Sequence, residues 1–160
     1  MKKIALFVDV QNIYYTTRQT YGRQFNYRKL WQKISAEGEI ISAIAYATRR
    51  DDDKQIKFQD ALKHIGFTVK LKPYIQRSDG SAKGDWDVGI TIDIMETANA
   101  EKNLDTVVLL SGDGDFDVLM KKITSQYGLS AEVYGVPALT ANSLIESASI
   151  YHPIEEDLLL

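Results

Sequence analysis

Between residues 106 and 126 the chain changes its pattern twice. Val107-Val108-Leu109-Leu110 is an unbroken apolar run of strand type, and Ser111-Gly112 stops it. Asp113, Asp115 and Asp117 then follow at alternate positions, and helical spacing resumes through Phe116 and Leu119. A strand with no polar alternation, succeeded at once by a helix, is a unit of a parallel sheet covered on both faces. Three carboxylates so close together repel one another unless a cation or wide solvation intervenes. Ligands that are all oxygen suit Mg²⁺ or Mn²⁺. The same residues also serve a plain strand-to-helix turn, with Asp113 or Asp115 as N-cap and the other charges favourable to the helix dipole. Taken alone, the stretch leaves both readings open.

The rest of the chain repeats the alternation. Compact apolar runs at residues 3–8, 40–47, 67–71, 106–110 and 130–134 read as strands. Helical spacing occupies the segment from Ile13 to the stop at Gly22, then residues 27–34, 51–65, 116–126 and 139–146. A small extra strand is expected at residues 148–151, and residues 73–84 read as a polar loop or hairpin close to the site. Residues 86–100 are ambiguous. Trp86, Val88, Ile90, Ile92 and Ile94 alternate as in a strand, but the segment is too long for one, so it is read as a helix of about four turns with an inward stripe of Val88, Ile92 and Met95. Residues 1–154 are expected to form one domain. Residues 155–160 form a tail expected to fray, whose three terminal leucines could instead dock on a second copy in a homodimer.

Composition narrows the setting. A chain of 160 residues is long enough for one stable core. It has no cysteine, which removes disulfides, zinc–thiolate sites and thiol catalysis and suits a reducing compartment. The apolar run after Met1-Lys2-Lys3 is too short for an export signal and ends in Asp9, and no run approaches the roughly 20 residues of a membrane span. A cytoplasmic location without membrane contact is expected. The net charge of −3 conceals a division: residues 49–83 carry nine basic and five acidic side chains, which makes them +4 and the remainder −7. Such a split suits a region that attracts a polyanion beside one that holds cations, although solvated helix faces give the same count.

In a parallel α/β sheet, ligands sit beyond the carboxyl ends of the strands where the strand order reverses. If the first three strands run outward and the fourth returns to the other side of the first, the reversal brings Asp9 and Asp113 side by side. Asp9, Asp113 and Asp115, with Asp87 or Asp93 from the preceding helix, then suit metal-assisted phosphodiester hydrolysis. His64, late in a helix, and His152, before Pro153, do not suggest a triad and read as structural.

Three ordered motifs carry a family resemblance: Phe7-Val8-Asp9-Val10-Gln11-Asn12, then Trp86-Asp87-Val88-Gly89-Ile90-Thr91-Ile92-Asp93, then Leu110-Ser111-Gly112-Asp113-Gly114-Asp115-Phe116. Together they resemble the NYN domain family, most of all its bacterial LabA-like branch within the PIN-like nuclease superfamily, over nearly the whole chain. The resemblance implies a three-layer α/β/α PIN-like (Rossmann-like) fold, with a mainly parallel five-stranded sheet in the order 3-2-1-4-5. It also implies ribonuclease activity dependent on Mg²⁺ or Mn²⁺. The family's first acid falls on Asp9, and its companion on Asn12, whose amide would fix Asp9 or a metal-bound water. The middle acid falls on Asp87, with Asp93 as a further candidate, and the last acids fall on Asp113 and Asp115; Asp117 lies beyond the motif. Trp86 replaces a small aliphatic residue and Asp85 offers a competing carboxylate. Asp93 is about 120° round the helix from Asp87, so the two need not face one metal.

On this reading Asp9, Asp87, Asp113 and Asp115 hold the metal, and Arg49, Arg50, Lys83 and Arg77 hold the RNA backbone. Tyr14, Tyr15 and Tyr46 either stack bases or pack at the core and rim. Two alternatives stand beside it. One is a non-catalytic module that binds RNA or a regulatory partner. The other is a haloacid-dehalogenase-type phosphatase, which needs a second acid two residues after Asp9, where Gln11 stands.

Overall fold

The computed structural model describes residues 1–49, 52–73, 75–76, 82–83 and 85–160. In chain order its elements are β1 (Lys2–Asp9), α1 (Val10–Tyr21), α2 (Tyr27–Ser35), β2 (Gly38–Arg49), α3 (Asp53–Ile65) and β3 (Thr68–Pro73). A short antiparallel ladder of β4 (Ile75–Gln76) and β5 (Ala82–Lys83) follows. Then come α4 (Asp87–Ala100), β6 (Thr106–Leu110), α5 (Asp117–Ser125), β7 (Ser130–Gly135), α6 (Asn142–Ser147) and β8 (Ile150–Pro153). The main sheet is parallel throughout, in the order β3-β2-β1-β6-β7-β8. This is the expected three-layer α/β/α arrangement, with β8 as the extra C-terminal strand.

The central strands show why the sheet is covered on both faces. Ile4, Ala5, Leu6, Phe7 and Val8 are all buried, as are Val107, Val108, Leu109 and Leu110. Ile4, Leu6, Val8, Val108 and Leu110 join the core formed with α1, α2 and α3. Their alternates Ala5, Phe7, Val107 and Leu109 join Ile90 and Ile94 of α4 and Leu119, Met120 and Ile123 of α5. Period-2 alternation thus feeds two cores from one strand.

Local signals place the helix ends. The Asp52 carboxylate accepts from the Gln55 amide at 2.8 Å as an N-cap, and Gly22 ends α1 at φ 66°, a conformation costly for a side-chain-bearing residue. The helix expected at residues 116–126 is present as α5, with Phe116 closing a 3₁₀ turn, Gly114–Phe116, that leads into it. Residues 139–146 divide into the end of a 3₁₀ turn, Pro137–Leu139, and α6. The reason is close approach of the two loops: the Ala141 amide donates to Gly112 O at 3.0 Å, and a Cβ on Gly112 would lie 2.6 Å from Leu139 O.

The frayed tail is corrected. Leu158 and Leu159 are buried, 1% and 6% exposed, in the same core as Phe25 and Tyr27. The Asn26 amide donates to Leu158 O and the Leu160 amide to Gln24 O, both at 2.8 Å. Leu158 and Leu159 therefore dock on their own chain, and they give no argument for a homodimer. No described helix is long and apolar enough to cross a membrane.

Candidate metal centre

The register sets the site. Val8 pairs with Leu110, so the next residues, Asp9 and Ser111, emerge side by side where the strand order reverses. The buried Ser111 hydroxyl donates to Asp9 Oδ2 at 3.2 Å and accepts from the Asp113 amide at 3.2 Å. Asn12 N donates to Asp9 Oδ1 at 3.4 Å. Despite these two donors, burial pushes the Asp9 carboxyl up to about 6, and the charges of Asp113 and Asp85 add to the rise.

The Asn12 side chain makes a contact that was not expected. Its Oδ1 accepts from the Gly112 amide at 2.9 Å, so it pins the Ser111-Gly112-Asp113 turn to the start of α1, and only its backbone N–H reaches Asp9. One oxygen of Asp113 accepts from the Asp115 amide at 2.9 Å, which caps the 3₁₀ turn. The capping and ligand readings of this stretch are therefore compatible. Asp117 accepts from the Val118 amide at 2.6 Å at the start of α5.

Asp87 opens α4, and its carboxylate meets the other two. Among the described residues, oxygens of Asp87, Asp113 and Asp115 lie within 4.8 Å of one another. Burial first, then the Asp113 carboxylate, then the charges of Asp9 and Asp85, raise the Asp87 carboxyl to about 7. A group this crowded with like charge and composed of hard oxygen donors fits a divalent cation such as Mg²⁺ or Mn²⁺. Asp9 borders the same cleft, of about 230 Å³, together with Asp87, Asp113 and Asp85. A larger cavity of about 780 Å³ is walled by β8, Lys33 and the tail acids Glu155, Glu156 and Asp157. It brings no such carboxylate group together, so size is not what marks the site.

Other expected site residues fall elsewhere. Asp93 does not join the cluster: its Oδ2 accepts from Lys70 Nζ at 2.7 Å and from the Tyr46 hydroxyl at 2.8 Å. Tyr46 is fully buried and cannot stack a base. The stripe expected on α4 is also corrected, because Val88 and Ile92 are exposed, at 70% and 51%, while Ile90 and Ile94 are buried. Trp86 sets that rotation. Its indole N–H donates to Ala47 O at 2.9 Å, Lys72 Nζ lies 4.7 Å from its ring centroid, and Gly89 leaves room beneath the ring. Asp87, three residues before Ile90, is thereby turned toward the sheet's carboxyl end.

Arg49 closes β2 and is exposed. Arg50 and Arg77 lie outside the described residues, and Lys83 is described by its backbone alone. His152 pairs with Glu132 at 2.6 Å and stacks on Tyr134, and His64 lies on the exposed side of α3, both outside the cluster.

Ser111 is a candidate site residue that sequence reasoning missed. Its signal was its position at the end of a buried strand beside that of Asp9. Ser111→Ala is expected to lower any metal-dependent activity about tenfold, the scale of losing a partner that orients a metal ligand, with the fold retained. Comparison of turnover and circular dichroism checks this, and unchanged turnover would remove Ser111 from the site.

The NYN domain model matches residues 3–155. The chain is 32% identical over 123 residues to the low amplitude and bright protein LabA of Synechococcus elongatus, a match that spans 72% of this chain and 64% of LabA. The crystal structure of a protein of unknown function from Vibrio parahaemolyticus superposes with a TM-score of 0.92 at 50% identity, covering 99% of this chain and 96% of that one. A family match over nearly the whole chain, together with 32% identity to LabA, makes this protein a member of the NYN domain family, in its LabA-like branch.

Proposed function

We propose that the protein is a ribonuclease dependent on Mg²⁺ or Mn²⁺ that hydrolyses RNA phosphodiester bonds in the cytoplasm. The observation that carries this reading is the convergence of the Asp87, Asp113 and Asp115 oxygens at the sheet's reversal point. NYN and PIN-like domains are typically metal-dependent nucleases, and the chain has both the domain and the acids. Asp87, Asp113 and Asp115 would hold the cation. When bound, it supplies an activated water, polarisation of the phosphoryl oxygen and stabilisation of the leaving oxyanion.

The chain's own residues do the positioning. Ser111 and the Asn12 N–H hold the Asp9 carboxylate at the cleft, where it completes the oxygen donor set. Asn12 and Ser111 fix the turn that carries Asp113, so the carboxylates are set before substrate arrives. Arg49, at the end of β2, and the basic side chains between residues 50 and 83 supply positive charge for the RNA backbone. The phosphatase alternative is disfavoured, because Gln11 borders the cleft where that chemistry needs a second carboxylate.

The deciding experiment is incubation of an end-labelled single-stranded RNA with the purified chain in Mn²⁺. Cleavage abolished by a chelator and by Asp9→Asn is expected. RNA bound but left intact in every divalent metal would show a non-catalytic binding module instead.

A further inference from the structure

One face of α1 carries side chains that the fold does not use. Gln11, Tyr14, Tyr15 and Arg18 recur at helical i, i+3, i+4, i+7 spacing, turned away from the buried Val10, Ile13 and Thr17. Tyr14 and Tyr15 are 41% and 50% exposed, although large aromatic side chains normally contribute most when they are covered. Their rings meet edge to face, with centroids 5.3 Å apart and planes at 77°. Arg18 Nη1 donates to the Tyr14 hydroxyl at 2.6 Å, and its guanidinium lies 5.8 Å from that ring's centroid. The row begins at the metal-binding cleft itself, since Gln11 and Tyr15 border it together with Asp9, Asp87 and Asp113.

We propose that Tyr15, braced edge-on by Tyr14, stacks the base of an unpaired nucleotide adjoining the scissile phosphate, so that the site takes single-stranded RNA with little regard to base identity. The proposal rests on the ribonuclease reading above. Every base has a π-face, so an aromatic platform beside the reacting phosphate binds without reading sequence. A base inside a duplex keeps both faces covered by its neighbours and cannot use the platform. Tyr14 holds Tyr15 from the side, and Arg18 continues the row one helical turn further, where its guanidinium meets the next base or phosphate.

Cleavage of a short fluorescent RNA in Mn²⁺ by wild type, Tyr15→Ala and Tyr15→Phe tests this. Tyr15→Ala is expected to lower kcat/KM about tenfold, the scale of losing one base–aromatic stack, while Tyr15→Phe stays within about twofold. An abasic site walked along the RNA is expected to cost wild type a similar factor at one position next to the cut, and to cost Tyr15→Ala nothing more there. The fully paired form of the same RNA is expected to be cut at least tenfold more slowly. Melting curves show that the variants are folded.

If wild type cleaves and Tyr15→Ala matches it, or the abasic penalty persists unchanged in Tyr15→Ala, the stacking proposal is overturned and the ribonuclease reading stands. If the RNA is bound without cleavage, the same comparisons read as anisotropy affinities decide the stacking in the same way. If wild type neither binds nor cleaves, both readings fall.

Discussion

Asp87→Asn is expected to lower metal-dependent RNA turnover by roughly 10²–10³-fold, the scale of losing one preorganised electrostatic stabiliser at a reacting centre. The same substitution is expected to raise the melting temperature of the metal-free protein. The two effects have one cause. Burial and the neighbouring Asp113 carboxylate hold the Asp87 carboxyl at about 7, so near neutral pH the fold works against part of this residue's charge. The amide has the same shape and no charge, so it relieves the repulsion while removing a ligand. A residue present only to cap or solvate α4 would behave differently: its loss would leave turnover intact or would lower turnover and stability together. Paired kinetic and thermal measurements distinguish these cases, and a gain in activity or a fall in metal-free stability would count against the assignment. Natural sites often keep groups that cost stability in this way.

The frame of the molecule was legible because each buried strand had a continuous apolar run and each helix but α4 a periodic one, α4 being read as a helix from its length. Parallel strands joined by right-handed crossovers leave few topologies. Asp9 and Asp113 were legible for a related reason, since each is the first carboxylate after a buried strand. Asp87 was placed by its motif and by no periodicity.

What was not legible depended on contacts between distant residues. The helix α4 has two apolar stripes, Ile90 with Ile94 and Val88 with Ile92, and nothing local chooses between them. The choice is made by the hydrogen bond from Trp86 to Ala47 O and by the Lys70–Asp93 pair, which also takes Asp93 away from the cluster. The hold of Asn12 on the Ser111-Gly112-Asp113 turn was not legible, because its partner, the Gly112 amide, arrives from a loop 100 residues away. The three terminal leucines have the same composition whether they dock on their own chain or on another. Only the seat beside Phe25 and Tyr27 decides that, and a sequence does not display it.

Metal-free protein is expected to lose thermal stability as pH rises from about 5 to about 8, and Mn²⁺ is expected to reverse the loss. The carboxyls of Asp9 and Asp87 are raised from an ordinary value of 3.8 to about 6 and about 7 in the folded state. Between those limits the native chain holds protons that the unfolded chain has released, so stability falls as pH rises. The contribution is complete below the unfolded value and is gone once pH has passed the folded ones. A cation runs against this slope, because it binds the deprotonated carboxylates of the native state only, and more tightly as the protons leave. Mn²⁺ at a hundred times its Kd contributes about 2.7 kcal/mol, which for a chain of this size is a rise of roughly 5–10 °C at pH 8. At pH 5 the same concentration competes with protons at both groups and the rise shrinks toward zero. Melting curves with Mn²⁺ and with chelator across this range give the comparison. A flat metal-free profile, or an equal metal shift at both ends, would mean that these carboxylates do not face a common cation. Asp9→Asn and Asp87→Asn should each flatten part of the metal-free slope, and because the two carboxyls border one cleft their effects should fall short of additive.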